Sequence, residues 1–123
     1  MRLASVRIFV DDLDRAAAFY EGVVGLKRST TAATAILYGK SPSVVVELAG
    51  NEGRREGLLG RFTGVGFETK DAAALYADLQ SRGVPLHGPP EKQYWGGTLL
   101  FADDPSGNII TFVQSSVAPG GAQ

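Results

Sequence analysis

Glu47 is the one carboxylate in an otherwise apolar run, Ser43-Val44-Val45-Val46-Glu47-Leu48. A carboxylate held there could serve as a general base or anchor a cationic ligand group. It could equally be neutralised by a nearby arginine, because an unmatched buried charge is costly. Arg7 is the candidate partner: with Ser5 and Phe9 it shares one face of the alternating run Ser5-Val6-Arg7-Ile8-Phe9-Val10. Arg7 would pair with Glu47 or Glu68, or would clamp a ligand carboxylate or phosphate. Tyr94-Trp95-Gly96-Gly97 sets two aromatic rings before two glycines, suited to stacking on a planar ligand or to packing a loop. Phe9 and Tyr38 read as core or pocket wall. His87 is the single histidine, flanked by Pro85, Gly88, Pro89 and Pro90. It reads as a solvated loop residue, since the local sequence offers no carboxylate to orient it. Asp103, Asp104 and Asn108 read as turn and cap residues, and Arg54-Arg55 as a solvated loop. Serine-histidine-aspartate spacing, a phosphate loop and a dinucleotide fingerprint are all missing from the sequence.

The elements that carry these residues form a pattern written twice. A first strand is predicted over 3–10, alternating clearly from Val6, and Asp12 then caps a helix predicted over about 13–24, with Leu13, Ala16, Ala17, Tyr20 and Val24 on one stripe and Gly25 as its stop. Strands are predicted at 26–30, 34–38 and 43–48. A second strand at 61–69 leads to Asp71 and a helix at about 71–82, with Ala72, Leu75, Tyr76 and Leu79 inward and Gly83 behind it. The segment 84–90 reads as a proline-rich bend with a short strand at its start or just after it. Strands 98–102 and 109–114 then flank the turn Asp103-Asp104-Pro105-Ser106-Gly107-Asn108.

Each half is thus β-α-β-β-β, an α+β arrangement of two tandem modules. A helix covers one face of each sheet, and pairing the two sheets, within one chain or across a dimer, would cover the other faces and enclose a cleft. The domain reading is a single domain over 1–114, with module one at 1–50, a polar linker at 51–60 and module two at 61–114. Residues 115–123 read as a flexible tail.

Bulk properties narrow the function classes. The 123 residues are enough for one domain, with 44% hydrophobic and 20% charged residues. A formal charge of −1 gives no electrostatic footprint for nucleic acid or an anionic membrane. No apolar run approaches the roughly 20 residues of a spanning helix, and the N-terminus has no signal-peptide core. Cysteine is absent, which removes disulfides, thiol nucleophiles and thiolate metal sites. The default expectation is a cytoplasmic protein.

The stretches Val10-Asp11-Asp12-Leu13-Asp14-Arg15-Ala16 through Phe19-Tyr20 and Gly25-Leu26, Val65-Gly66-Phe67-Glu68, and Gly96-Gly97 through Asp104-Pro105-Ser106-Gly107-Asn108 resemble the vicinal oxygen chelate superfamily, also called the glyoxalase/bleomycin resistance/dioxygenase family. The resemblance spans about residues 1–114. It implies two βαβββ modules with paired sheets, and four inward-facing positions where the metalloenzymes hold a divalent ion. Those positions here are Ser5, Glu47, Gly64 and Thr111. Only Glu47 is a good ligand type, and an ion needs three or more converging donors.

The expectation is therefore a protein without a metal or other cofactor. It would bind a small molecule, an antibiotic or a metabolite, in a cleft lined by Ser5, Arg7, Phe9, Tyr38, Glu47, Tyr94, Trp95 and Thr111. Similarity of the tryptophan-glycine segment to the bleomycin-resistance branch implies a homodimer. The alternative the resemblance leaves open is a lyase, an isomerase or epimerase, or a dioxygenase-like enzyme, with Glu47 as base or ligand.

Overall fold

The structure is a computed structural model in which residues 1–116 are described; the tail expected at 115–123 lies outside the described residues from residue 117 on. The chain divides into two compact units, one of Met1–Thr63 with the turn Asp104–Asn108, the other of Gly64–Asp103 and the chain from Ile109. Each unit contains one four-stranded sheet with a helix on one face, so the two βαβββ modules are observed.

In the first unit the elements are β1 (Ser5–Val10), α1 (Leu13–Gly22), β2 (Arg28–Thr31), β3 (Ala35–Tyr38), β4 (Ser43–Leu48) and α2 (Asn51–Arg55). The sheet order is β1-β4-β3-β2, with β1 parallel to β4 and the other pairs antiparallel. A parallel pair needs a crossover, and α1 with β2 and β3 supplies it. Asp12 caps α1, its side chain accepting from the Arg15 N–H at 3.0 Å.

Ala16, Phe19 and Tyr20 are buried at spacings of three and one, so Phe19 takes the place on the stripe that the sequence reading gave to Ala17 and Val24. Beneath them lie Ile8, Val10, Ile36, Tyr38 and Val46, all essentially closed to solvent. The helix ends at Gly22, and Gly25 at φ +83° turns the chain so that the Leu26 N–H reaches the Tyr20 carbonyl at 2.9 Å.

The stretch read as a plain linker contains α2. Its Gly53 sits inside the turn with Leu58 Cδ1 3.4 Å from where a Cβ would be, and the Leu58 N–H closes on the Gly53 carbonyl at 3.0 Å.

A buried polar network fastens the Asp104–Asn108 turn into this unit. Asp104 is 3% exposed and accepts from the Tyr20 hydroxyl at 2.7 Å, the Asn108 side-chain amide at 2.9 Å, and the Ser106 and Asn108 backbone N–H groups at 2.9 Å. Asn108, fully buried, donates to the Phe9 carbonyl at 2.7 Å and accepts from the Gly60 N–H at 2.9 Å. Both residues have the turn chemistry their types suggest, but they are interior rather than solvated. Burial pushes the Tyr20 hydroxyl far above its usual pKa, and the Asp104 charge pushes it the same way.

The second unit contains most of β5 (Phe62–Glu68), then α3 (Ala72–Ser81), β6 (Glu91–Lys92), β7 (Thr98–Asp103) and β8 (Ile109–Gln114), in the sheet order β5-β8-β7-β6. Asp71 caps α3 through the Ala74 N–H at 3.0 Å, and Gln114 accepts from the Ala72 N–H at 2.7 Å. Ala72 and Leu79 are buried with Leu100, Ala102, Ile110 and Phe112, while Leu75 and Tyr76 are only half-buried. Among the described residues no helix is long and apolar enough to cross a membrane.

Candidate functional site

Alternation along each strand leaves one sheet face without a helix. On the first sheet the register sets Ser5 beside Ser43, Arg7 beside Val45 and Phe9 beside Glu47, so all six share that open face. β3 adds Leu37 beside Val45 and Ala35 beside Glu47. Arg7 reaches diagonally across to Glu47: Nε donates to Oε1 at 2.9 Å and Nη2 to Oε2 at 3.0 Å. The guanidinium carbon also stands 5.0 Å from the centroid of the Phe9 ring.

Of the two partners the sequence left open, the one Arg7 takes is Glu47. The carboxylate raises the arginine pKa, first through the hydrogen bond and then through its charge. With the Arg7 side chain 58% exposed and that of Glu47 27%, water screens the pair, and its main effect is to fix two side chains in one orientation.

Tyr38 is on the other face. It is 2% exposed, and its hydroxyl donates to Glu21 Oε2 at 2.8 Å, an oxygen that also receives Arg28 Nε at 3.1 Å. The register pairs Tyr38 with Val44 and Leu37 with Val45, so Leu37, not Tyr38, faces the way Arg7 faces. The sequence reading grouped Tyr38 with the site because strand alternation alone does not say which of β3's two faces the helix covers. Arg28 and, more weakly, Tyr38 lower the Glu21 pKa, while burial raises that of Tyr38.

On the second sheet Thr111 stands beside Phe101 and Val113 beside Leu99, facing away from α3. Thr111 is 7% exposed. Gly66 of β5 comes close to Val113, whose Cγ2 is 3.1 Å from where a glycine Cβ would stand.

Tyr94 and Trp95 sit in the β6–β7 loop, which is closed by the Gln93 N–H to the Gly97 carbonyl at 2.8 Å. Tyr94 is fully exposed and Trp95 47% exposed. The Trp95 ring lies against Gly97: a Cβ there would fall 1.8 Å from Cζ3, so only glycine admits this ring position.

His87 is an exposed residue in the bend after Leu86, as a solvated loop histidine would be, but it has a carboxylate partner; Asp103 is the last residue of β7 and not part of the turn. Leu86 bridges Ala102 in antiparallel fashion, which puts His87 on the face shared by Phe101 and Asp103. His87 Nε2 meets Asp103 Oδ1 at 2.5 Å. The carboxylate that orients the histidine comes from 16 residues away.

The four positions that the resemblance assigns to a metal lie on β1, β4, β5 and β8, with Ser5, Glu47, Gly64 and Thr111 on them. They do not fit an ion. Glycine has no donor, the two hydroxyls are neutral, and both Glu47 oxygens are held by a fixed cation standing between Glu47 and Ser5. Among the described residues no group of three or more histidine, cysteine, aspartate or glutamate side chains is placed to hold one.

The family model described as Glyoxalase/Bleomycin resistance protein/Dioxygenase superfamily matches residues 2–112. A solved member of that superfamily from Sphaerobacter thermophilus DSM 20745 is similar at 26% identity and a TM-score of 0.77, over 94% of this chain and 98% of that one. TnmS3, an antibiotic binding protein from Streptomyces sp. CB03234, is similar at 25% identity and a TM-score of 0.71, over 94% and 97%. Lactoylglutathione lyase from Agrobacterium tumefaciens shares the fold at 17% identity and a TM-score of 0.73, over 92% of each chain. No curated protein matches the chain.

Proposed function

The chain belongs to the glyoxalase/bleomycin resistance protein/dioxygenase superfamily, and from that premise we propose that it binds a small molecule without a metal, sequestering an antibiotic or a metabolite. The observation that carries this reading is the two-point contact of Arg7 with Glu47. It converts the one position with a ligand-type side chain into a neutral, oriented polar pair beside the Phe9 ring. A surface of this kind offers the remaining guanidinium N–H groups to acceptors on a ligand and an apolar floor of Phe9, Val45 and Leu37 to its body. Likeness to an antibiotic binding protein at 25% identity supports the ligand class. Tyr94, Trp95, Ser5 and Thr111 are further candidate contacts in the same reading. The homodimer implied by the family resemblance belongs to it as well, and sedimentation equilibrium checks that.

A thermal-shift screen of antibiotics and aromatic metabolites tests the reading, since a ligand that binds only the folded chain raises Tm with its concentration. Hits should bind wild-type protein equally well with and without a chelator and lose affinity in Arg7→Ala and Trp95→Ala. Hits indifferent to both substitutions, or abolished by the chelator, would refute it.

A further inference from the structure

Neither the family positions nor the binding reading uses the His87–Asp103 pair, and this pair has the geometry of a proton-accepting site. We propose that His87, oriented by Asp103, is a general base on the open face of the second sheet, acting on a small planar carbon acid. The proposal goes beyond the binding reading and stands without it.

Three observations carry it. A carboxylate only accepts, so the contact to Asp103 Oδ1 requires the hydrogen of neutral His87 to sit on Nε2, which leaves the Nδ1 lone pair as the ring's acceptor. The two residues are held at the backbone: the His87 N–H donates to the Phe101 carbonyl and the Asp103 N–H to the Pro85 carbonyl, each at 3.0 Å. The ring is accessible, with the His87 side chain 47% exposed and that of Asp103 29%.

Phe101 stands opposite His87 on the same face and Leu99 continues it, an apolar wall for a flat molecule. Glu47, the other candidate base, has both oxygens engaged by Arg7. In the step proposed, Nδ1 takes an acidified C–H proton and the electron pair stays with the substrate. The imidazolium so formed lies against the Asp103 carboxylate until it returns the proton.

A nitrobenzisoxazole is a suitable probe. Removal of its ring C–H proton by Nδ1 lets the C–H electron pair form a nitrile while the N–O bond breaks, releasing a coloured cyanophenolate with no other reactant. The expected rate for the full chain is about tenfold or more above that of free imidazole at equal concentration, falling to background in His87→Gln. Asp103 is a positioning residue. Asp103→Asn should lower the rate about threefold or more, and in nitrogen NMR should turn the single Nε2–H tautomer of His87 into a mixture.

Unchanged thermal melting of both variants would show that the fold is intact. A rate no higher than free imidazole overturns the proposal. So does a rate that survives His87→Gln, or an Nδ1–H tautomer in wild-type protein.

Discussion

The Arg7 guanidinium engages both oxygens of Glu47 from the diagonal position on the neighbouring parallel strand, at 2.9 and 3.0 Å. That contact decides which polar groups the first sheet's open face presents. An unpaired glutamate there would invite a cation or a substrate proton; a glutamate fixed to arginine offers instead a neutral pair with outward-facing N–H donors. The same face places Phe9 within 5.0 Å of the guanidinium carbon, so the pair is steadied on an apolar surface.

The buried Tyr20–Asp104 hydrogen bond makes the fold sensitive to alkali. Tyr20→Phe should cost ~1–3 kcal/mol at neutral pH, because a buried carboxylate loses one of its donors. The folded hydroxyl has a raised pKa, so its contribution is complete below the unfolded value and declines as pH rises past about 10, where the unfolded chain releases the proton first. Urea melts of wild-type and Tyr20→Phe protein at pH 8 and near pH 11 check this. The gap between the two should narrow at the higher pH.

Glu21 gives the opposite dependence. Arg28 and then Tyr38 lower its pKa through hydrogen bonds, so its contribution is complete above the unfolded value of about 4.3 and is lost as pH falls through the lower folded value. The stability difference between wild-type and Glu21→Gln protein should therefore be larger at pH 6 than at pH 3 by the same melts. A constant difference would show that the Tyr38–Glu21–Arg28 contact does not persist in solution.

Gly97→Ala should move the one tryptophan of the chain. The added methyl occupies the place of the Trp95 ring, so the ring must leave its seat while β7, which begins at Thr98, keeps its pairing with β8. Tryptophan emission should change in wavelength and in quenching by iodide, with little change in Tm. Unaltered emission would mean that the ring does not rest on Gly97.

Much of this arrangement was legible in the sequence because it follows from local periods. Val6, Ile8 and Val10 alternate with Ser5, Arg7 and Phe9, and Ile8 and Val10 are buried while Ser5 and Arg7 are exposed. Asp12 and Asp71 announce both long helices, and each caps as its side-chain chemistry requires. Arg7 and Glu47 could be named as partners because both strands present them on the same parity.

What could not be read depends on register between distant segments. Tyr38 changes face according to which side of β3 the helix covers. His87 meets Asp103 only once Leu86 is known to bridge Ala102. Asp104 and Asn108 read correctly as turn residues, but their burial follows only from the contacts with Tyr20, Phe9 and Gly60.

Elemental analysis of protein purified without an affinity tag, with a screened ligand bound, is the most direct test of ligand binding without an ion. Zinc, nickel, iron and manganese should each be far below one equivalent, with the ligand retained. One equivalent of any of them, lost together with the ligand on Glu47→Gln, would contradict it.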